Sequence, residues 1–150
     1  MESLIQRNNT SNTRSPQTLR ILDANLNRLS EGIRVVEDIL RYGFNHKDFA
    51  LSLKNLRHQC RITSYFANYF ELLNTRDSLK DVLKPSTKDE QTRENLENIF
   101  LANFKRAQES ARVLEEILKL DSVQESEHFK SIRYTLYTLE KEILTTLFTP

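Results

Sequence analysis

Apolar residues recur at alternating spacings of three and four along two stretches of this chain. In the first stretch the ridge runs Leu22, Asn25, Leu29, Gly32, Val36 and Ile39, with Ile21, Arg28 and Val35 beside it. In the second it runs Phe100, Asn103, Ala107, Ser110, Leu114 and Ile117, with Arg106 next to Asn103. Positions at this spacing share one face of an α-helix, so each stretch predicts a helix that buries that face. Boundary signals place the elements. Ser15-Pro16 opens the first helix with a hydroxyl N-cap and a proline at the first helical position. It is predicted to run to Tyr42, with Gly43 as the left-handed residue that closes it. Asn45 is predicted to cap the second helix, with Phe44 and Phe49 as its hydrophobic staple, and that helix runs to about Leu73. Residues 74–86 break the pattern. Thr87-Lys88-Asp89-Glu90 reads as a capping box that opens a third helix, which ends near Leu120, and Ser122 with Glu125 opens a fourth. Residues 1–14 are polar and are predicted to be a disordered tail.

The two ridges belong to one repeated segment. Residues 24–41 read ANLNRLSEGIRVVEDILR and residues 102–119 read ANFKRAQESARVLEEILK, with nine of eighteen aligned pairs identical. The shared polar residues are Asn25/Asn103, Arg28/Arg106, Glu31/Glu109, Arg34/Arg112 and Glu37/Glu115, all offset by 78. A weaker echo follows, Lys54-Asn55-Leu56-Arg57 against Lys130-Ser131-Ile132-Arg133, offset by 76. This pattern reads as an internal duplication. The expected fold is all-α: a four-helix bundle-like single domain built from two tandem helix-pair repeats with pseudo-twofold symmetry. The first repeat spans 15–73, the connecting loop 74–86 and the second repeat 87–150.

Composition agrees with a helical reading, because two glycines and three prolines in 150 residues leave few tight turns. The formal net charge of +1 implies neither a nucleic acid nor a membrane as partner. The single Cys60 rules out an intramolecular disulfide and suits a reducing compartment. With no apolar run of membrane-spanning length and no signal-peptide pattern at the start, a cytoplasmic location is expected by elimination.

The candidate chemistry sits on the ridges. Asn25, Arg28, Asn103 and Arg106 are expected to be largely buried and close together, with Glu31 pairing Arg28 one turn away. Two readings stay open: a buried network that fixes how the repeats dock, or a polar pocket for an anionic, hydrogen-bonding ligand. Arg34, Glu37 and Asp38 read as a solvated face with an Arg34–Asp38 pair. Arg57 and Arg133 are further candidates. The three histidines show no metal-ligand spacing, so no protein metal centre is expected. Cys60 reads as core filler. In the connecting loop, Arg76 suits a phosphate and Asp77 with Asp81 suits Mg²⁺, against the alternative of a solvated linker.

The motif R-x-L-D-A-N-x-x-R-x-x-E-G-I-R-V-x-E-D, Arg20 through Asp38, resembles the amino-terminal domain of two-domain thiamine-phosphate synthases. So do A-N-x-x-R-x-x-E-x-x-R-V-L-E-E at Ala102–Glu116, the Arg76-Asp77 step, and R-Y-x-x-Y-x-L-E at Arg133–Glu140. The resemblance covers nearly everything from Arg20 onward. It implies ATP-dependent phosphorylation of hydroxymethylpyrimidine phosphate to the diphosphate, with ATP and Mg²⁺ as cofactors. It also implies site roles: Arg28, Arg106, Arg57, Arg133 and Arg76 on phosphates, and Asn25 or Asn103 on the aminopyrimidine edge. Asp77 would serve in the loop. Glu31 or Glu109 would act as the catalytic group that orients the hydroxymethyl group or accepts its proton. Because the chain ends at Pro150, no synthase barrel and no synthase activity are expected. The alternative is a non-catalytic helical ligand-binding or dimerisation module, as a homodimer or beside a separate thiamine-phosphate synthase. A helical enzyme acting on a small carboxylate through arginine clusters is the third class.

Overall fold

A computed structural model describes residues 14–61 and 69–148. Among these residues there are six α-helices and no strand. They are α1 (Pro16–Asp38), α2 (Lys47–Gln59), α3 (Tyr69–Thr75), α4 (Lys88–Gln91), α5 (Leu96–Leu118) and α6 (Val123–Leu147). The core gathers the ridges of the long helices: Leu22, Leu29, Ile33, Val36 and Leu40 meet Phe100, Phe104, Leu114, Leu118, Phe129, Ile132 and Leu136. α1 packs on α5 and α2, and α5 packs on α6.

Caps set most of the boundaries. Ser15 accepts the N–H of Thr18, with Pro16 following it, and Ser122 accepts the N–H of Glu125 at the start of α6. Of the tail expected over residues 1–14, only Arg14 is described. Its guanidinium pairs with Asp121 and, at 3.1 Å, with Glu125. The remainder of that tail lies outside the described residues.

Four boundary expectations are corrected. Gly43 does not adopt the left-handed conformation. After Asp38 the chain widens into a π-helical turn, Ile39–Gly43, and the left-handed residue is Asn45 (φ 51°). The N–H of His46 then closes on the carbonyl of Leu40 at 2.9 Å. That bond spans one residue more than a Schellman closure after regular α winding, as the wider turn demands. Asparagine tolerates this backbone region better than other side chains that carry a Cβ. Second, because Asn45 serves the turn, His46 becomes the cap of α2, its Nδ1 accepting the N–H of Phe49 at 3.2 Å. The staple is displaced as well. Phe49 stacks on His46, while Phe44 packs edge-on against Phe148. Third, α2 stops at Gln59 instead of continuing to Leu73; Arg61 closes a tight turn onto His58, and residues 62–68 are outside the described residues. Fourth, Thr87 does cap a helix, accepting the N–H of Glu90 and donating its hydroxyl to the Glu90 carboxylate, but it opens only the single turn of α4. The long third helix begins later, at Leu96, under an Asn95 cap.

At Gly32 the backbone of α1 lies close against α5. A Cβ there would lie 3.1 Å from the main-chain oxygen of Asn103 and 3.4 Å from the Cβ of Ala107. Gly32→Ala adds helix propensity of about 1 kcal/mol, which offsets the tight contact. Gly32→Leu is expected to force the helices apart at a cost of about 1–3 kcal/mol. A denaturant titration checks this: the midpoint should fall with the slope unchanged.

Candidate functional site

The signature residues divide into two groups, one inside the fold and one facing solvent. Asn25 is buried and donates its side-chain N–H to the carbonyl of Ile21 at 2.9 Å. Asn103 does the same to Ile99 at 2.8 Å. Each amide therefore completes a bond one helical turn back on its own helix. Arg28, Arg106, Glu31 and Glu109 are all exposed, which corrects the expectation of a buried arginine pocket. Arg28 lies on the flank of the ridge, and a long arginine stem carries its head to water from such a position. The Arg28–Glu31 pair does not form: Arg28 makes no ion pair or side-chain hydrogen bond within the described residues.

Glu37, read from sequence as part of a solvated face, is buried, and Arg57 and Arg133, read as ligand contacts, are engaged in ion pairs. Glu37 is only 1 % exposed and takes the guanidinium of Arg57 at 3.1 and 3.4 Å. Glu115 is buried and takes Arg133 at 3.0 Å. Arg34 and Arg112 each lie 3.7 Å from the buried glutamate of their own half. They lie 3.4 and 3.2 Å from Asp38 and Glu116 respectively, so the expected Arg34–Asp38 pair is present. The two halves thus carry the same four-residue arrangement. Each ties a signature helix to the helix after it. Hydrogen bonds to Tyr137 and Glu115 raise the Arg133 pKa further above its ordinary value, so it stays charged. Glu37 is inside because Ile33, Glu37 and Leu40 form a second stripe on α1, the one that meets α2.

An open groove of about 510 Å³ runs along the first half of α1 and under residues 76–81. Gln17, Arg20, Asp23, Asn25, Asn27 and Arg28 line it from the helix, and Arg76, Asp77, Ser78 and Asp81 from the connecting loop. The structure thus brings Asn25, Arg28, Arg76 and Asp77 together. Arg57 and Arg133 lie in the two ion pairs instead, and Asn103, Arg106, Glu31 and Glu109 do not line this groove. Asp23 anchors the loop: both its oxygens receive Arg76, each at 2.8 Å, and Asn27 donates to it at 3.4 Å. This bidentate bond raises the Arg76 pKa and keeps its guanidinium charged. Arg20 reaches the carbonyl of Asp77 at 3.4 Å. Asp77 and Asp81 each use one oxygen to accept a loop N–H, from Lys80 and Leu83 at 3.0 Å. Arg20, Asp23 and Asn27 were not singled out from the sequence, although Arg20 and Asp23 stand in the motif that carries the resemblance. Their signal is spacing: 20, 23 and 27 make one stripe on α1.

Cys60 is buried, bonds the carbonyl of Leu56 at 3.3 Å, and burial pushes its thiol up to about 12 against opposition from Arg57. It is no nucleophile near neutral pH. A disulfide reagent at pH 8 is expected to label Cys60 rapidly only after denaturation. Fast labelling of the folded protein would contradict this burial.

No helix among the described residues is long and apolar enough to cross a membrane. No solved structure matches this chain. Curated relatives are similar over most of it. A thiamine-phosphate synthase of Prochlorococcus marinus subsp. pastoris is 37% identical over 134 residues, covering 86% of this chain and 37% of the relative. The thiamine-phosphate synthase of Nostoc punctiforme is 37% identical, covering 83% and 35%. That of Rhodopirellula baltica is 35% identical, covering 89% and 36%. The chain therefore spans about a third of the length of these relatives. The ThiD2 family pattern matches residues 20–142, which takes in both signature helices, the groove and both ion-pair arrangements, and the chain belongs to the ThiD2 family.

Proposed function

We propose that this protein acts in thiamine biosynthesis as a kinase of 4-amino-5-hydroxymethyl-2-methylpyrimidine phosphate. It would transfer the γ-phosphoryl group of ATP to that monophosphate in the groove between α1 and residues 76–81. Family membership and the relatives' names support the pathway. One observation carries the location: the signature helix and the Arg76-Asp77 loop, far apart in sequence, line one groove.

In this reaction the nucleophile is an oxygen of the substrate's existing phosphate. It forms a bond to the γ-phosphorus while the bond to ADP breaks. A phosphate monoester has its second pKa near ~6, so this oxygen already carries charge at neutral pH and needs no base. The chemistry therefore does not call on Glu31 or Glu109, and their position outside the groove is compatible with it. The requirement is alignment of two anions and neutralisation of their charge. Arg28, a free guanidinium on the rim, is suited to a phosphate, and Arg20 and the remaining face of Arg76 add positive charge beside it.

Magnesium fits the donors available. It is usually held by one or two carboxylates together with nucleotide phosphates, and Asp77 and Asp81 each retain an oxygen not taken by a loop N–H. These two residues would hold it, and it would supply charge neutralisation on the transferred phosphoryl group.

The test is ADP release from ATP and Mg²⁺ with the pyrimidine monophosphate, with the diphosphate product read by ³¹P NMR. Release that depends on the pyrimidine supports the kinase. Binding of the monophosphate with no ATP consumption overturns it in favour of a non-catalytic ligand-binding module.

A further inference from the structure

A second groove, about 450 Å³ in volume, lies at the other end of α1, where the π-helical turn meets the start of α2. Three cations line it, Arg41, Lys47 and Lys54, all exposed and none engaged by a carboxylate among the described residues. The carboxylate at its edge, Glu37, is already occupied by Arg57 and Arg34. Asp48, on the first turn of α2, does not line the groove. His46 adds a donor. Its Nδ1 accepts the N–H of Phe49, so the neutral ring carries its proton on Nε2. Leu51, half exposed, supplies an apolar surface beside the charges.

The fold does not demand this cluster, and the matching positions of the second half show it. Lys119 stands where Arg41 does and is held by Glu116 at 2.6 Å. Val123 and Glu127 stand where Lys47 and Leu51 do. The second half therefore joins its signature helix to the next with one cation neutralised, one replaced by valine, one kept as Lys130 and an acid added. Unpaired like charges around one concavity repel each other and focus a positive potential, and an anion relieves both effects.

We infer that this groove is a binding site for a small organic polyphosphate, separate from the one in which phosphoryl transfer is proposed. Three cations around one concavity match a chain of two or three phosphates better than a single monoester, and Leu51 suits an apolar substituent on it. The nearest lining residues of the two grooves on α1, Arg28 and Glu37, are nine residues apart, roughly 14 Å along the axis and half a turn around it, so a ligand here faces away from the proposed transfer groove. The inference does not rest on the kinase reading, and its test uses neither ATP turnover nor the pyrimidine.

The probe is tripolyphosphate, titrated into the ¹⁵N-labelled protein at low salt, with sulfate at matched ionic strength as the comparison. Saturable shifts are expected at Arg41, His46, Lys47 and Lys54. The double variant Lys47→Gln/Lys54→Gln, which changes two exposed side chains and should keep the circular dichroism of the parent, is expected to weaken binding at least about tenfold. Arg28→Ala is expected to leave it within about twofold, because Arg28 does not line this groove. Shifts confined to residues 20–28 and 76–81 would overturn the inference. So would an unchanged affinity in the double variant, or equal displacement by sulfate.

Discussion

Replacing Glu37 by leucine is expected to destabilise the protein by about 3–5 kcal/mol, which for a chain of this size lowers the melting temperature by roughly 6–20 °C. The cause is the charge left behind. Arg57 is 12 % exposed and directs two nitrogens at Glu37, so without the carboxylate it is a half-dehydrated cation beside Leu53 and Cys60. Arg57→Met alone is expected to cost as much, because Glu37 at 1 % exposure would then lose its principal partner. The double variant Glu37→Leu/Arg57→Met is expected to recover most of the loss, since removing both charges ends the desolvation problem that each creates alone. Thermal unfolding of the two singles and the double closes the cycle. A double variant that loses the sum of the singles would mean that the pair's bond, and not the orphaned charge, sets the cost. The same cycle on Glu115 and Arg133 should give a similar pattern, because that pair repeats the geometry at 3.0 Å.

Arg28→Ala is expected to do the opposite: little to stability and much to activity. The side chain is exposed and without a partner, so its removal should leave the melting temperature within about 1 °C. If it holds a phosphate in the groove, losing a charge-assisted bond of about 1.5–3 kcal/mol lowers kcat/KM by roughly one to two orders of magnitude. Arg106→Ala and Arg34→Ala should fall much less, because neither residue lines the groove. Equal turnover in Arg28→Ala and the parent would place the chemistry elsewhere. A large drop in melting temperature would show Arg28 to be scaffold.

The helical class and the starts of α1 and α6 were legible in the sequence because they depend on local rules. Ser15-Pro16 and Ser122-x-x-Glu125 signal a cap within four residues, and the ridge of threes and fours is a property of one helix. Burial of Glu37 and Glu115 was not legible from that ridge, because it depends on which second stripe of α1 and α5 meets a neighbour. Arg57 and Arg133 were found as residues, but what they touch is a matter of tertiary packing. The groove was half legible: Arg28 and the Arg76-Asp77 step stood out, while Asp23, which holds the loop to the helix, looked like an ordinary polar residue of α1. Thr87 was misleading for a physical reason. Its cap is satisfied within one turn, and no buried apolar residue follows it to extend that turn, since residues 92–97 are all exposed.

The wide turn at Ile39–Gly43 governs the rotational phase of α2. The two signature segments are offset by 78 residues and the helices after them by 76, so the first half has two more residues between its helices than the second. The π winding and the left-handed Asn45 take up that excess. An α-helix advances about 100° per residue, so shortening this turn by one residue would rotate α2 by roughly that angle unless the turn re-formed. Arg57 would then face away from Glu37. The buried pair therefore acts as a keyway: it admits α2 in one angular setting, and the length of the turn before it is what lets the key engage.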